Sequence, residues 1–308
     1  MATEKKYEHT SSCVGKSLDA IQKENRVDFD KMPPPIAAYG GVDFTKKENE
    51  ASKEETPKEA TPKKIEKKME DTAVGAIQDD VEQSKVVTSI DQIIPESKLK
   101  EIHDKVDEFH KIWYPLQGTV AWMGHELLKN PLDLWIYQEI LWECRPDLII
   151  ESGTFKGGSA LFLANMCDIM QHGQVLSIDI NRIPTFPFHQ RISYLTGSSV
   201  SEEVVKIVDG FCSSVRKVMV ILDSDHTKQH VLDELHIYSH FVTPQQYMIV
   251  EDSNIHGHPV RDDLPAGPYE AITKFLTEED NAERFISDSM CERFLMTFNP
   301  KGYLRRIK

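Results

Sequence analysis

Several apolar runs in this 308-residue chain close on carboxylates, and this is the pattern most able to do chemistry. VILDSDH places Asp223 and Asp225 after one run, and MIVEDSN places Glu251 and Asp252 after another. If the runs are neighbouring parallel strands, their acidic ends converge at one edge of a sheet. Like charges that close repel unless a cation compensates them or their pKa values rise. Oxygen donors without thiolates suit a hard divalent cation, Mg2+ or Mn2+. Asp223, Glu251 and Asp252 are the expected ligands. Asp225 is in reserve, because its two-residue offset puts it in the following loop. Helix caps would explain one such end easily but three poorly. Three histidines stand nearby: His226, three residues past Asp223, and His256 and His258 in the loop SNIHGHPV. An imidazole there can take the proton of a hydroxyl, so any of the three could be the general base, with His226 and His256 taken as the catalytic candidates.

A second constellation lies in DLIIESGTFKGGSALFLA (Asp147–Ala164). A buried run ends in Glu151, and a loop with Gly153, Gly157 and Gly158 leads into a helical stretch. Glycines let backbone approach a ligand closely, and a helix N-terminus offers unpaired N–H groups. In doubly wound sheets the first crossover is where nucleotide-like ligands bind. The spacing is E-x-G-x-x-x-G-G. It is neither the G-x-G-x-x-G of dinucleotide binders nor a phosphate loop ending in Gly-Lys-Ser/Thr. An acidic strand end repels pyrophosphate and suits a cationic amino-acid ligand, such as the methionine part of S-adenosylmethionine (SAM). The next run, VLSIDI, ends in Asp179, where a carboxylate can accept both hydroxyls of a ribose.

These residues need a scaffold, and the chain supplies one after Pro95. Leu99, Ile102, Val106, Phe109 and Trp113 recur at helical spacing, and a second helix starts at Pro131–Leu132 and runs to Cys144. Strand candidates follow at Asp147–Glu151, Gln174–Asp179, Arg191–Thr196, Lys217–Asp223 and Gln246–Asp252. Helical runs near Gly158–Gln171, Ser201–Val208 and Lys228–Phe241 separate them. The alternation predicts βαβ units, a mostly parallel sheet and helices on both faces. After a helix near Tyr269–Leu276 come Arg284–Ser287 and Arg293–Phe298, with Asn299–Gly302 as a turn. Two closing strands fit this last segment and bring the expected sheet to seven.

The first ninety residues read differently. Between Thr45 and Asp71 eight lysines and eight acidic residues fill 27 positions without an aromatic. Such a segment cannot bury enough surface to offset its ordering entropy, so residues 1–90 are expected to be a disordered, charged tail and residues 91–308 the folded domain. KMPPPIAAYGG (Lys31–Gly41) reads as linker or as a short docking motif. The net charge of −14 disfavours nucleic acid or an anionic membrane as partner. Five scattered cysteines without CxxC, and no apolar signal or membrane span, fit a cytoplasmic protein; a homo-oligomer is allowed.

WMGHELLKNPLDLWIYQEILWECRPDLIIESGTFKGGSALFLA, LDSDHTKQHVLDELHIYSHFVTPQQYMIVED and CERFLMTFNPKGYLRR together resemble the cephalosporin hydroxylase / rhamnosyl O-methyltransferase family. The likeness spans about Leu116–Ile307 and none of the first ninety residues. It implies a Rossmann-like class I methyltransferase that binds SAM at the ESGTFKGGS loop, through Glu151, Gly153, Thr154, Gly157, Gly158 and Ser159. Mg2+ would sit on Asp223, Glu251 and Asp252. TGSS resembles the family's adenine-side loop, giving Ser198 and Ser199, although a serine stands at 198 where the family usually has aspartate. In the similar catechol-type enzymes a lysine base follows the metal aspartate by three residues; here that position is His226. The resemblance implies methyl transfer to a hydroxyl of a sugar or a small secondary metabolite. An iron oxygenase lacks support, because no histidine is followed two residues later by Asp or Glu. A nicotinamide-linked oxidoreductase and a non-catalytic binding protein on the same fold are the alternatives.

Overall fold

A computed structural model describes residues 94–308. The charged tail 1–90 and the Lys31–Gly41 motif lie outside the described residues. Helix α1 (Glu96–Trp113) leads to a small hairpin, β1 (Ala121–Trp122) and β2 (His125–Glu126), and then to α2 (Pro131–Cys144). Asn130 caps α2 by accepting from Leu132 N at 3.1 Å, with Pro131 in the first turn, where its missing N–H costs nothing.

The sheet follows: β3 (Leu148–Ser152), β4 (Gln174–Asp179), β5 (Ile192–Thr196), β6 (Val218–Leu222) and β7 (Tyr247–Val250), all parallel. Crossover helices α3 (Gly158–Met170), α4 (Glu202–Cys212) and α5 (Lys228–Tyr238) connect them. After α6 (Pro268–Leu276) and α7 (Glu279–Arg284), β8 (Phe285–Ser287) and β9 (Tyr303–Arg306) close a seven-stranded sheet. Its order is β5-β4-β3-β6-β7-β9-β8, with β9 antiparallel to both neighbours. Winding runs outward from β3 and then returns to β6, so a crevice opens at the carboxyl ends of these two strands.

Successive side chains of a strand face opposite ways, and here both faces are covered. Ile149, Met219, Ile221 and Ile249 pack under α2 and α3, whereas Leu148, Ile150, Val220 and Leu222 pack under α4, α5 and α6. That two-sided burial explains the near-continuous apolar strand sequences. No helix among the described residues is long and apolar enough to cross a membrane.

Two expectations are corrected. Phe109 is 54% exposed, and the inward residue at this level of α1 is His110, 2% exposed. The His110 ring stacks on Phe298 with centroids 5.4 Å apart and pairs with Asn254 Nδ2 at 3.0 Å. Burial lowers its pKa to about 4, so it packs as a neutral ring. Arg293–Phe298 forms no strand; the closing strands are β8 and β9. A side chain anchors the end of this segment instead: buried Asp133 of α2 accepts from Thr297 Oγ1 at 2.6 Å, from Phe298 N at 2.8 Å and, on β9, from Tyr303 Oη at 3.0 Å.

Asp133→Ala would leave those three donors unpaired in the core. It should cost roughly 2–4 kcal/mol of unfolding free energy, read by urea denaturation. A loss below about 0.5 kcal/mol would contradict this role.

Candidate functional site

A cleft of about 570 Å3, counting its open mouth, lies at the carboxyl ends of β3 and β6. Its walls are the β3–α3 loop (Gly153, Thr154, Phe155), the segment after β2 (Leu127–Lys129), and Asp223, His226 and Asp252.

The β3–α3 loop owes its glycines to protein contacts. Gly153 has φ +89°, and a Cβ there would lie 1.8 Å from the carbonyl oxygen of Asp223. A Cβ on Gly158 would lie 2.2 Å from the carbonyl oxygen of Glu126. The glycines therefore let β3 approach the end of β6 and let α3 start beneath the hairpin. Gly157 is the N-cap of α3, and Gly153, Thr154, Gly158 and Ser159 line the cleft.

Glu151 lies inside β3 and is fully buried. It accepts from Ser177 Oγ at 2.5 Å, and Thr154 Oγ1 lies 2.7 Å from the same serine. Its Oε1 is buried without a partner in hydrogen-bond geometry. Burial pushes its pKa to about 7, against the neighbouring Ser159 and Ser177 hydroxyls and the Lys129 charge. Asp179 accepts from Phe155 N at 3.0 Å and Asn181 N at 2.8 Å, and so ties the loop to β4. The adenine-side candidates sit further along: Ser199 Oγ is 3.3 Å from His230 Nε2, and Ser198 accepts at its carbonyl from Ser201 N at 3.0 Å.

At the acidic edge, Asp223, His226 and Asp252 offer ligand atoms that all lie within 4.8 Å of one another. His226 Nε2 is 3.2 Å from Asp252 Oδ2. Asp252 adopts φ +54° in the turn that follows β7. Burial pushes both aspartyl pKa values up; Lys129 draws Asp223 back most and His226 draws Asp252 back most. Glu251 is not among the converging ligand atoms. Its Oε1 accepts from Tyr137 Oη and lies 2.8 Å from Lys129 Nζ. Asp225 caps the turn into α5 by accepting from Thr227 N at 2.7 Å. His256 lies outside the cleft wall, with Nδ1 against the Pro265 carbonyl and its ring over Gly267. His258 pairs with Glu270 at 2.6 Å and stacks on Tyr269.

Sequence reasoning missed Lys129. It is 3% exposed, and its Nζ lies 2.6 Å from Asp223 Oδ2 as well as 2.8 Å from Glu251. Burial works against its charge, yet the two carboxylates outweigh that and raise its pKa above the ordinary range. The available signal was the excess of acidic ends over cations near them.

The Glu151 carboxyl gives a pH test. Its folded value lies above its ordinary 4.5, so the stabilising effect of its proton is complete below that pH and lost as pH rises through about 7. Without ligand, Glu151→Gln should gain stability relative to wild type between about pH 5 and 8, by on the order of 3 kcal/mol. Urea unfolding of both proteins at the two pH values checks this; parallel pH dependences would refute it.

Comparison with known proteins places these residues in a lineage. The family described as Rhamnosyl O-methyltransferase/CmcI matches residues 114–307. The rhamnosyl O-methyltransferase of Mycobacterium leprae (strain TN) is 38% identical over 210 residues, 65% of this chain and 90% of that protein. Its counterpart in Mycobacterium tuberculosis (strain ATCC 25618 / H37Rv) is 36% identical over 213 residues, 65% of this chain and 84% of that protein. Among solved structures, the Mg-SAM form of CmcI is similar at 20% identity and TM-score 0.46, covering 62% of this chain and 78% of that one. The chain belongs to the rhamnosyl O-methyltransferase/CmcI family and is a SAM-dependent O-methyltransferase.

Proposed function

We propose that this enzyme methylates a hydroxyl of a small sugar-containing acceptor, with SAM at the β3–α3 loop and a divalent cation, Mg2+ or Mn2+, at the acidic edge. The observation that carries the reading is the convergence of Asp223, Asp252 and His226 in the lining of the cleft, which Gly153 shares. The two carboxylates are oxygen donors that suit Mg2+ or Mn2+, and the imidazole beside them is left to move a proton. The mycobacterial relatives are named for a rhamnosyl group, which supports a sugar hydroxyl as acceptor.

The protein's own residues divide the work. Buried Glu151, with one oxygen unpartnered, favours a cationic amino-acid moiety over a phosphate. Asp179 has each oxygen on a backbone N–H, which fixes the carboxylate where a ribose diol would lie. Asp223 and Asp252 would hold the cation, with Glu251 behind them on Lys129 and Tyr137. A cation bound there would lower the pKa of an acceptor hydroxyl. Transfer of the methyl from sulfonium sulfur to the hydroxyl oxygen releases one proton, and His226, oriented by Asp252, is placed to take it. Holding the two reactants in one cleft supplies the rest through proximity.

The test combines titration with thermal shift. Wild type should bind SAM and not NADH, and Mg2+ or Mn2+ should raise its melting temperature, reversibly with EDTA. Asp223→Asn and Asp252→Asn should lose the cation response and turnover while still binding SAM. His226→Ala should keep the cation response and lose roughly 10²–10⁴ in kcat. A wild type indifferent to cation and chelator, with full turnover in EDTA, would overturn the cation reading. NADH binding in place of SAM would overturn the donor.

A further inference from the structure

We infer that His230 and Glu234 of α5 are positioning residues that fix the Ser199 hydroxyl as a hydrogen-bond donor on the base side of the SAM site. That donor selects a nucleoside whose ring nitrogen accepts, as the N1 atom of adenine does. The inference rests on the placement of SAM proposed above and deepens it.

His230, Glu234 and Tyr238 recur every four residues on α5, and together they hold two loops of the crevice. His230 Nε2 lies 3.0 Å from Ser224 Oγ and 3.3 Å from Ser199 Oγ. Ser224 Oγ donates to Glu234 Oε1 at 2.8 Å, and Tyr238 Oη donates to the Ser199 carbonyl at 2.9 Å. Ser224 follows β6 and lines the cleft, whereas Ser199 follows β5, and the sheet order puts β4 and β3 between those strands. For one ring nitrogen to reach both serines, the loop after β5 must run back toward β6. On the way Gly197 N donates to the carbonyl of Asp179 at 2.8 Å. The loop therefore borders the place where a base would lie if its ribose sat on the Asp179 carboxylate.

A serine hydroxyl has one hydrogen, and Ser224 gives its own to Glu234. Toward His230 it can only accept, so Nε2 carries a proton whether the ring is neutral or charged. Hydrogen bonding to Glu234 holds the ring's pKa above its ordinary value, which favours protonation further. The same N–H faces Ser199 Oγ, which accepts from it and keeps its own hydrogen to donate to a ligand. Glu234 is fully buried and its Oε2 has no partner. Burying a carboxylate in this way is destabilising, so packing alone does not account for it. A fixed donor distinguishes bases. Adenine offers a bare nitrogen at N1, whereas hypoxanthine carries a hydrogen there and would meet Ser199 donor to donor.

Titration calorimetry with S-adenosylhomocysteine and with S-inosylhomocysteine, its hypoxanthine analogue, reads the effect without turnover. Wild type should prefer the adenosyl ligand by at least about tenfold. His230→Leu removes the N–H and lets Ser199 turn to accept, so the preference should shrink to within about threefold. Ser199→Ala should lose the preference likewise, and His230→Gln, which keeps an N–H donor, should retain most of it. A cluster that only braced the loops would weaken both ligands together. An unchanged preference in His230→Leu therefore overturns the inference, as does a wild type that binds both ligands equally. If the variants do not fold, 15N-histidine spectra of wild type give a second measurement. Neutral His230 should show the Nε2–H tautomer, and the Nδ1–H tautomer overturns the inference. Absence of S-adenosylhomocysteine binding to wild type would instead remove the donor-site reading itself.

Discussion

The crowding of carboxylates at the ends of β6 and β7 governs this molecule. The register pairs Leu222 with Val250, so Asp223 and Glu251 are the next residues on adjacent parallel strands and emerge side by side. Asp252 follows immediately. Two carboxylates about 5 Å apart repel by about 3 kcal/mol at an effective dielectric of about 20. The fold answers with an internal cation, Lys129, whose contacts reach both strands.

That answer organises parts of the chain far from the sheet edge. Lys129 arrives on the segment between the β1–β2 hairpin and α2, so both ends of that segment must be fixed. Trp122 of the hairpin donates from Nε1 to Asn165 Oδ1 of α3 at 2.8 Å. Asn130 and Asp133, at the start of α2, grip Met296, Thr297 and Phe298 in the closing segment. Phe298 in turn stacks on His110 of α1. Elements that precede and follow the five parallel strands are thus tied to one another, and the ammonium is held where they meet. The irregular Arg293–Phe298 stretch belongs to this scaffold: a sheet hydrogen bond would have satisfied its backbone as well, but would not have tied it to α2.

Most of the frame was legible because parallel strands buried on both faces leave an apolar signature. The five strands fall within two residues of their expected bounds, and the acidic ends sit at the expected edge. What was illegible has specific causes. Phe109 and His110 are adjacent on a helix, and helical spacing cannot choose between them when the histidine is neutral and the phenylalanine stays outside. Arg293–Phe298 has an apolar, β-prone sequence, yet it pairs with no strand, and Thr297 Oγ1 and Phe298 N donate to a carboxylate 164 and 165 residues away. Lys129 was overlooked because a lysine in a loop is usually solvated. Only its surroundings, which the linear order hides, make it a structural cation. Glu251 stands apart from the converging ligand atoms for the same reason, since its partners Lys129 and Tyr137 come from a different part of the chain.

The glycine loop shows how one sequence feature can meet two demands. Glycines after a first strand are read as room for a ligand, yet here the room is already filled by the Asp223 carbonyl and the Glu126 carbonyl. The two readings coincide because the cleft lies at the switch point. Backbones that part there to open a crevice must first touch below it, and a Cβ at Gly153 would hold β3 and β6 apart. Close contact at the base fixes the strand ends that carry Asp223 and Asp252 before any ligand arrives. Oriented charges that need no rearrangement stabilise a developing transition state more than mobile ones do. A site whose repulsion is compensated from within can be assembled in advance in this way. One whose carboxylates depended entirely on an incoming cation would have to assemble and react in the same event.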